Sequence, residues 1–133
     1  MKQEIMPKDA LVVFVCEHGA AKSILAATYF NKLASAGHLH LRAIARGTNP
    51  DPELSPKTIE GLHRDGLAPA ESVPQQLTLA DLETAEQIIS FCELPEEYGK
   101  RAIYENWNGI PPVSEDYEKA RDMIIAELNA LLK

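Results

Sequence analysis

The sequence is short of cations, short of cysteine and without a long apolar run. Thirteen Lys and Arg stand against twenty Asp and Glu in 133 residues, a formal charge of −7. Such a chain repels polyanions over most of its surface, so neither nucleic acid nor an anionic membrane is an expected partner. Any phosphate-bearing ligand has to be held by a local feature that outweighs the general field. The two cysteines, Cys16 and Cys92, are too few for a disulfide framework and suit a reducing compartment. No stretch reaches the ~18 apolar residues of a membrane span. The opening MKQEIMPKDA lacks the apolar core and small-residue cleavage site of a secretory signal, and the expected location is the cytoplasm. Internal repeats and low-complexity linkers are also missing, which leaves one domain over residues 9–133 behind a short N-terminal tail, 1–8.

What remains alternates between strand and helix patterns. ALVVFV is a continuous, β-branched apolar run of the kind seen when both faces of a sheet are covered. KSILAATYFNKLASA follows without an internal breaker, and Gly37 stands where a helix stop belongs. LHLRAIARG reads as a second strand, and TNPDPELSPK as turns leading to a helix that starts at Ser55 and Pro56 and ends at Gly66. Thr78 opens a further helix before the buried strand QIISFC, and RAIYENW reads as a fourth strand. From Ser114 onward, Tyr117, Ala120, Ile124, Leu128 and Leu131 recur at spacings of three and four and mark the apolar stripe of a closing helix, with Glu115 and Asp116 as its acidic first turn. This alternation predicts an α/β domain with a parallel sheet.

The chemistry concentrates in VVFVCEHGAAKS, where the first strand runs into the first helix. Loops of this kind lie at the carboxyl end of a parallel sheet, where ligands gather. Gly19 accepts positive φ, and Ala20 and Ala21 leave their amides unobstructed. Those amides and the first free N–H groups of the helix offer an anion several donors at the positive end of a dipole, and Lys22 adds a formal charge. Helix N-termini and nearby cations favour the thiolate form of a cysteine, so Cys16 is the expected nucleophile. The candidate anion-binding residues are Glu17, His18, Gly19, Ala20, Ala21 and Lys22. His18 invites a role as an acid or an extra cation. His38, His40 and His63 share no ligand spacing, so no metal site and no cofactor are expected.

The loop resembles that of the low-molecular-weight protein tyrosine phosphatases and the arsenate reductases of the same fold, in which an apolar strand is followed by C-x5-R-S. Cys16 matches the nucleophile, Ser23 the serine that hydrogen-bonds the sulfur, and Gly19 the position of an asparagine with unusual backbone geometry. GTNPDPELSPKTIEGLHRDGL, LTLADLETAEQIISFCE and ENWNGIPP resemble later segments of the family, so the likeness covers the chain from about residue 10 onward. It implies a flavodoxin-like three-layer domain, with a four-stranded parallel sheet and helices on both faces. It also implies phosphoester or oxyanion chemistry on Cys16, Lys22 and Ser23, with a phosphorylated protein or small molecule as substrate.

Three departures bear on activity. Lys22 stands where the family has arginine and cannot make the planar two-pronged contact with a phosphoryl group. The family's phosphatases carry an acid four residues after a matching tryptophan. Counted from Trp107 that position is Pro111, which leaves Glu115 or Asp116 as substitutes and Trp107 as packing or a pocket wall. Cys92 resembles the first of the arsenate reductases' two redox cysteines, without the second. A weak cysteine phosphatase, a catalytically silent phosphate-binding protein and an arsenate reductase are therefore all open readings.

Overall fold

The structure, a computed structural model, describes residues 9–132, so the proposed tail at 1–8 lies outside it. Strand β1 (Ala10–Cys16) is the centre of the molecule. Helix α1 (Lys22–Ala36), β2 (Leu41–Gly47), α2 (Pro56–Arg64), α3 (Leu79–Thr84), β3 (Gln87–Ser90), α4 (Glu96–Gly99), β4 (Glu105–Asn106) and α5 (Tyr117–Leu131) follow in chain order. The sheet is parallel throughout, in the order β2-β1-β3-β4. From β1 the chain builds outward on one side and then returns to build on the other, so the strand order switches beside the end of β1.

β1 is apolar throughout because both of its faces are covered. Val12, Phe14 and Cys16 join α1, α2 and α5 in the larger core, while Val13 and Val15 join Ile44, Leu77, Leu82, Ile88 and Leu94 under α3 and α4. Helices therefore lie on both faces, as the alternation implies. α1 is buried along an unbroken run from Ser23 to Phe30, and its alanines let it sit close to the sheet. Its Asn31 amide donates to the Ala43 carbonyl and accepts from the Ala43 N–H, which satisfies part of the free edge of β2.

α5 is fastened to α2 through a glycine. A Cβ on Gly61 would lie 2.3 Å from carbons of the Tyr117 ring, so only glycine lets that ring settle onto α2. The Tyr117 hydroxyl then donates to Asp65 at the end of α2.

Several element boundaries differ from the sequence reading. The fourth strand shrinks to two residues, and Ile103, inside the expected strand, is 98% exposed. β4 is an edge with little to pair against, and the alternation of RAIYENW does not extend it. α5 begins at Tyr117 with Asp116 as its cap, so Glu115 lies outside the helix and the acidic residue of the first turn is Glu118. Gly37 does not supply the left-handed turn that ends α1. Its φ is −89°, and His38, at φ 55°, takes that conformation with its N–H on the Ser35 carbonyl. The short helix α4 carries no periodic signal and was not expected.

Candidate active site

The register of β1 against β2 sets Cys16 beside Gly47 and so brings the two strand-end turns together. The amide N–H groups of Thr48, Asn49, Asp51 and Ser55 donate to the carbonyls of Cys16, Glu17, His18 and Ala20, at 3.2, 2.7, 3.0 and 2.9 Å. A trans peptide points its N–H opposite to its C=O. With these carbonyls tied backward, the N–H groups of Glu17, His18, Gly19 and Ala21 turn the other way, and none of them meets an acceptor among the described residues. The loop is thus a row of donors held from behind.

Close approach of the two turns depends on a pair of glycines. Gly19 has φ +61°, and a Cβ there would lie 2.9 Å from the Gly47 nitrogen; a Cβ on Gly47 would lie 2.8 Å from the Gly19 nitrogen. A methyl group at either position meets backbone that cannot swing aside. Gly19 therefore shapes the loop from behind and is not among the residues that line its cavity.

The start of α1 continues the donor row. α2, α3 and α5 are capped by Ser55, Thr78 and Asp116, whereas α1 begins at Ala21 with no side-chain cap and no acid in its first turn. Its first amides have no partner among the described residues, as expected where an anion is to be received. Cys16 is 8% exposed at the floor, and its sulfur is hydrogen-bonded to the hydroxyl of the fully buried Ser23 at 3.0 Å.

A cavity of about 360 Å³ opens over this floor. The loop contributes Cys16, Glu17, His18, Ala20, Ala21 and Lys22, the second turn Asp51 and Ser55, and the end of β3 Phe91 and Cys92; Pro112, Val113 and Ser114 form the wall before α5. Lys22 is the one Lys or Arg among the described residues that lines it. His18 Nδ1 lies 3.1 Å from Asp51 Oδ1. Burial pushes the Cys92 thiol up, more than the Ser90 hydrogen bond brings it down.

The structure thus gathers Cys16, Glu17, His18, Ala20, Ala21, Lys22 and Cys92 around one cavity and adds Asp51 and Ser55, while Gly19 and the buried Ser23 do not line it, Ser23 reaching the site through the Cys16 sulfur. The turn chemistry of TNPDPELSPK marked that segment as a loop, but nothing in it signalled that its amides would hold the first one. Two substitutes for the missing acid are excluded. Glu115 and Asp116 line a separate cavity with Lys57, Glu60 and Arg64, and the Asp116 carboxylate accepts the Lys119 N–H as a helix cap. Trp107 is packing: it is 7% exposed, with its ring 5.9 Å from both Phe14 and Phe91. No group of three metal-ligating side chains occurs among the described residues.

Sheet order, helix layers and a ligand cavity at the switch in strand order define a flavodoxin-like α/β protein with a cysteine at the floor of its site. The sequence profile of the low molecular weight phosphotyrosine protein phosphatases matches residues 11–106, and the chain belongs to that family. Among solved structures it is similar to SP-PTP, the low molecular weight protein tyrosine phosphatase of Streptococcus pyogenes, at 18% identity and TM-score 0.75 over 92% of this chain and 91% of that one. It is similar to the arsenate reductase of Archaeoglobus fulgidus at 22% identity and TM-score 0.65, over 90% and 97%. The third is a mutant of the YwlE arginine phosphatase of Bacillus subtilis with a phosphorylated active site serine, at 17% identity and TM-score 0.72, over 92% and 90%. At these identities the likeness carries the fold. None of the curated proteins matches the chain by sequence.

Proposed function

We propose that this chain is a cysteine-dependent phosphatase whose phosphoryl site is the loop from Cys16 to Ser23. The observation that carries the reading is the Cys16 sulfur, hydrogen-bonded to Ser23 at 3.0 Å, beneath backbone amides that have no partner among the described residues. The amides and Lys22 hold the equatorial oxygens of a phosphoryl group. The sulfur attacks phosphorus, the S–P bond forms, the P–O bond to the leaving group breaks, and that oxygen takes up a proton. Water then displaces the sulfur and releases phosphate. Ser23, by donating to the sulfur, supports it both as nucleophile and as leaving group.

Lys22 makes this a slower catalyst than an arginine loop. A charge-assisted hydrogen bond is worth ~1.5–3 kcal/mol, so its loss costs about ten- to a hundredfold in rate. Phosphate-ester hydrolysis is accelerated so strongly by enzymes, by up to ~10²¹, that a weakened site still gives measurable turnover. The test is turnover of p-nitrophenyl phosphate, expected in the wild type and lost in Cys16→Ser. Equal background rates in both would remove the reading and leave a silent oxyanion-binding protein, for which calorimetry with phosphate would still show saturable binding.

One observation favours a second reading. Cys92 lines the same cavity as Cys16, so two thiols are at hand that, in reducing a bound arsenate to arsenite by two electrons, become a Cys16–Cys92 disulfide for the thiol reductant to reopen. Arsenite production that requires a thiol reductant and disappears in Cys92→Ala would favour it.

A further inference from the structure

The proton taken up by the leaving group needs a source, and the wall that faces α5 offers none: Pro112, Val113 and Ser114 carry no acid, and Glu115 and Asp116 line a different cavity. We propose that His18, held by Asp51, is the proton donor to the leaving group. This rests on the phosphatase reading above.

The geometry is that of an oriented imidazole at the mouth of the cavity. His18 and Asp51 both line it, and two contacts join them: the Asp51 N–H donates to the His18 carbonyl at 3.0 Å, and Asp51 Oδ1 lies 3.1 Å from His18 Nδ1. A carboxylate on Nδ1 requires that nitrogen to keep its hydrogen, so the proton the ring gives away is the one on Nε2. Nε2 has no hydrogen bond among the described residues; a Glu17 carboxylate oxygen lies 3.8 Å from it, beyond hydrogen-bond distance. The other titratable groups on the cavity have other positions or duties. Lys22 is needed by the oxyanion, and burial holds the Cys92 thiol up and makes it a poor acid.

The step balances. As Cys16 Sγ bonds to phosphorus, the P–O bond electrons pass to the leaving oxygen, which takes the Nε2 proton and departs as an alcohol or phenol. The neutral ring then accepts a proton from the water that hydrolyses the phosphocysteine, and returns to its starting state. Asp51 is a positioning residue in this scheme, and His18 the catalytic one.

The experiment compares two substrates that differ in their need for protonation. p-Nitrophenolate leaves readily without it, whereas the phenolate of phenyl phosphate is as basic as a tyrosine, with a pKa of ~10. In His18→Gln, kcat/KM for phenyl phosphate is expected to fall by about 10² or more and that for p-nitrophenyl phosphate by less than ~10-fold. Asp51→Asn should give the same pattern in milder form, and added imidazole should restore phenyl phosphate turnover to His18→Ala. Equal losses on both substrates in His18→Gln, or a leaving-group effect in Asp51→Asn alone, would overturn the assignment while Cys16-dependent turnover persisted. Loss of Cys16 dependence on both substrates would instead remove the phosphatase reading, and this proposal with it.

Discussion

The loop after β1 and the segment before α5 line the same cavity, and they are held by different means. Four carbonyls of residues 16–20 are tied to the turn at 48–55, and two glycines fix how closely the turns approach. The segment at 110–116 is anchored by the buried side chains of Ile110 and Val113 and by a turn in which the Glu115 N–H donates to the Pro112 carbonyl at 3.1 Å. Backbone hydrogen bonds do not depend on side-chain identity, so the loop keeps its donor row even with Lys22 at its rim. An apolar anchor constrains only the residues that are buried. The positions between anchors that are not buried place no such demand on side-chain identity, and residues 110–114 hold no carboxylate while the cradle stands.

The largest expected effect tests that asymmetry directly. Gly19→Ala or Gly47→Ala sets a methyl group against backbone and, at Gly19, also against a left-handed φ; about 2–4 kcal/mol of unfolding free energy should be lost, together with phosphate binding. Ser114→Ala on the wall should stay within about ±0.5 kcal/mol. Urea unfolding and phosphate calorimetry on the three variants read both quantities. Tolerance of a methyl at Gly19 would mean that the loop is not held as tightly as its contacts imply.

A smaller effect sharpens the comparison from the side of the cradle. If only the guanidinium is missing from an otherwise intact donor row, Lys22→Arg should raise kcat/KM for p-nitrophenyl phosphate by about ten- to a hundredfold. No gain would show that the amides are not aligned on a phosphoryl group.

Legibility in the sequence divided along the same line. β1, its loop and α1 form one continuous stretch, so apolar pattern, glycine and absent breakers could be read together, and Cys16 and Ser23 emerged with them. The ties from Thr48, Asn49, Asp51 and Ser55 depend on the pairing of Cys16 with Gly47, a property of sheet register that no local pattern carries. The partnership of His18 with Asp51 was hidden for the same reason. His38 shows a different limit: α1 ends at Ala36, but the left-handed residue falls one position past the glycine, where the His38 and Leu39 N–H groups close the turn on the Ser35 and Ala34 carbonyls. RAIYENW failed as a strand because alternation promises a face to bury, and at the sheet edge Ile103 has nothing to bury it.

The smallest expected effect is on pH, and it acts on the helix that follows the wall and not on the cradle. Asp65 ties down the start of α5, which directly follows the wall: the Tyr29 and Tyr117 hydroxyls donate to its Oδ2, and Arg121 Nη1 lies 3.2 Å from its Oδ1. Burial alone would push this carboxyl up, but the hydrogen bonds from the two tyrosines and the Arg121 guanidinium outweigh it and hold it below its ordinary value. Tyr29 is pushed up to about 12, by burial first and by Asp65 second. A carboxyl whose pKa is lowered by folding contributes stability above its unfolded value of ~4 and loses it as the pH falls through the folded value. A phenol whose pKa is raised contributes below its unfolded value of ~10 and loses it as the pH rises through the folded value. The gap in thermal midpoint between wild type and Asp65→Asn should therefore be widest near neutrality and narrow toward both extremes. Because Tyr117 is the first residue of α5, directly after the wall, the loosening starts there, while the ties between residues 16–20 and 48–55 are backbone bonds that do not titrate. A gap that stayed constant from acid to neutral pH would mean that the start of α5 is fastened somewhere other than Asp65.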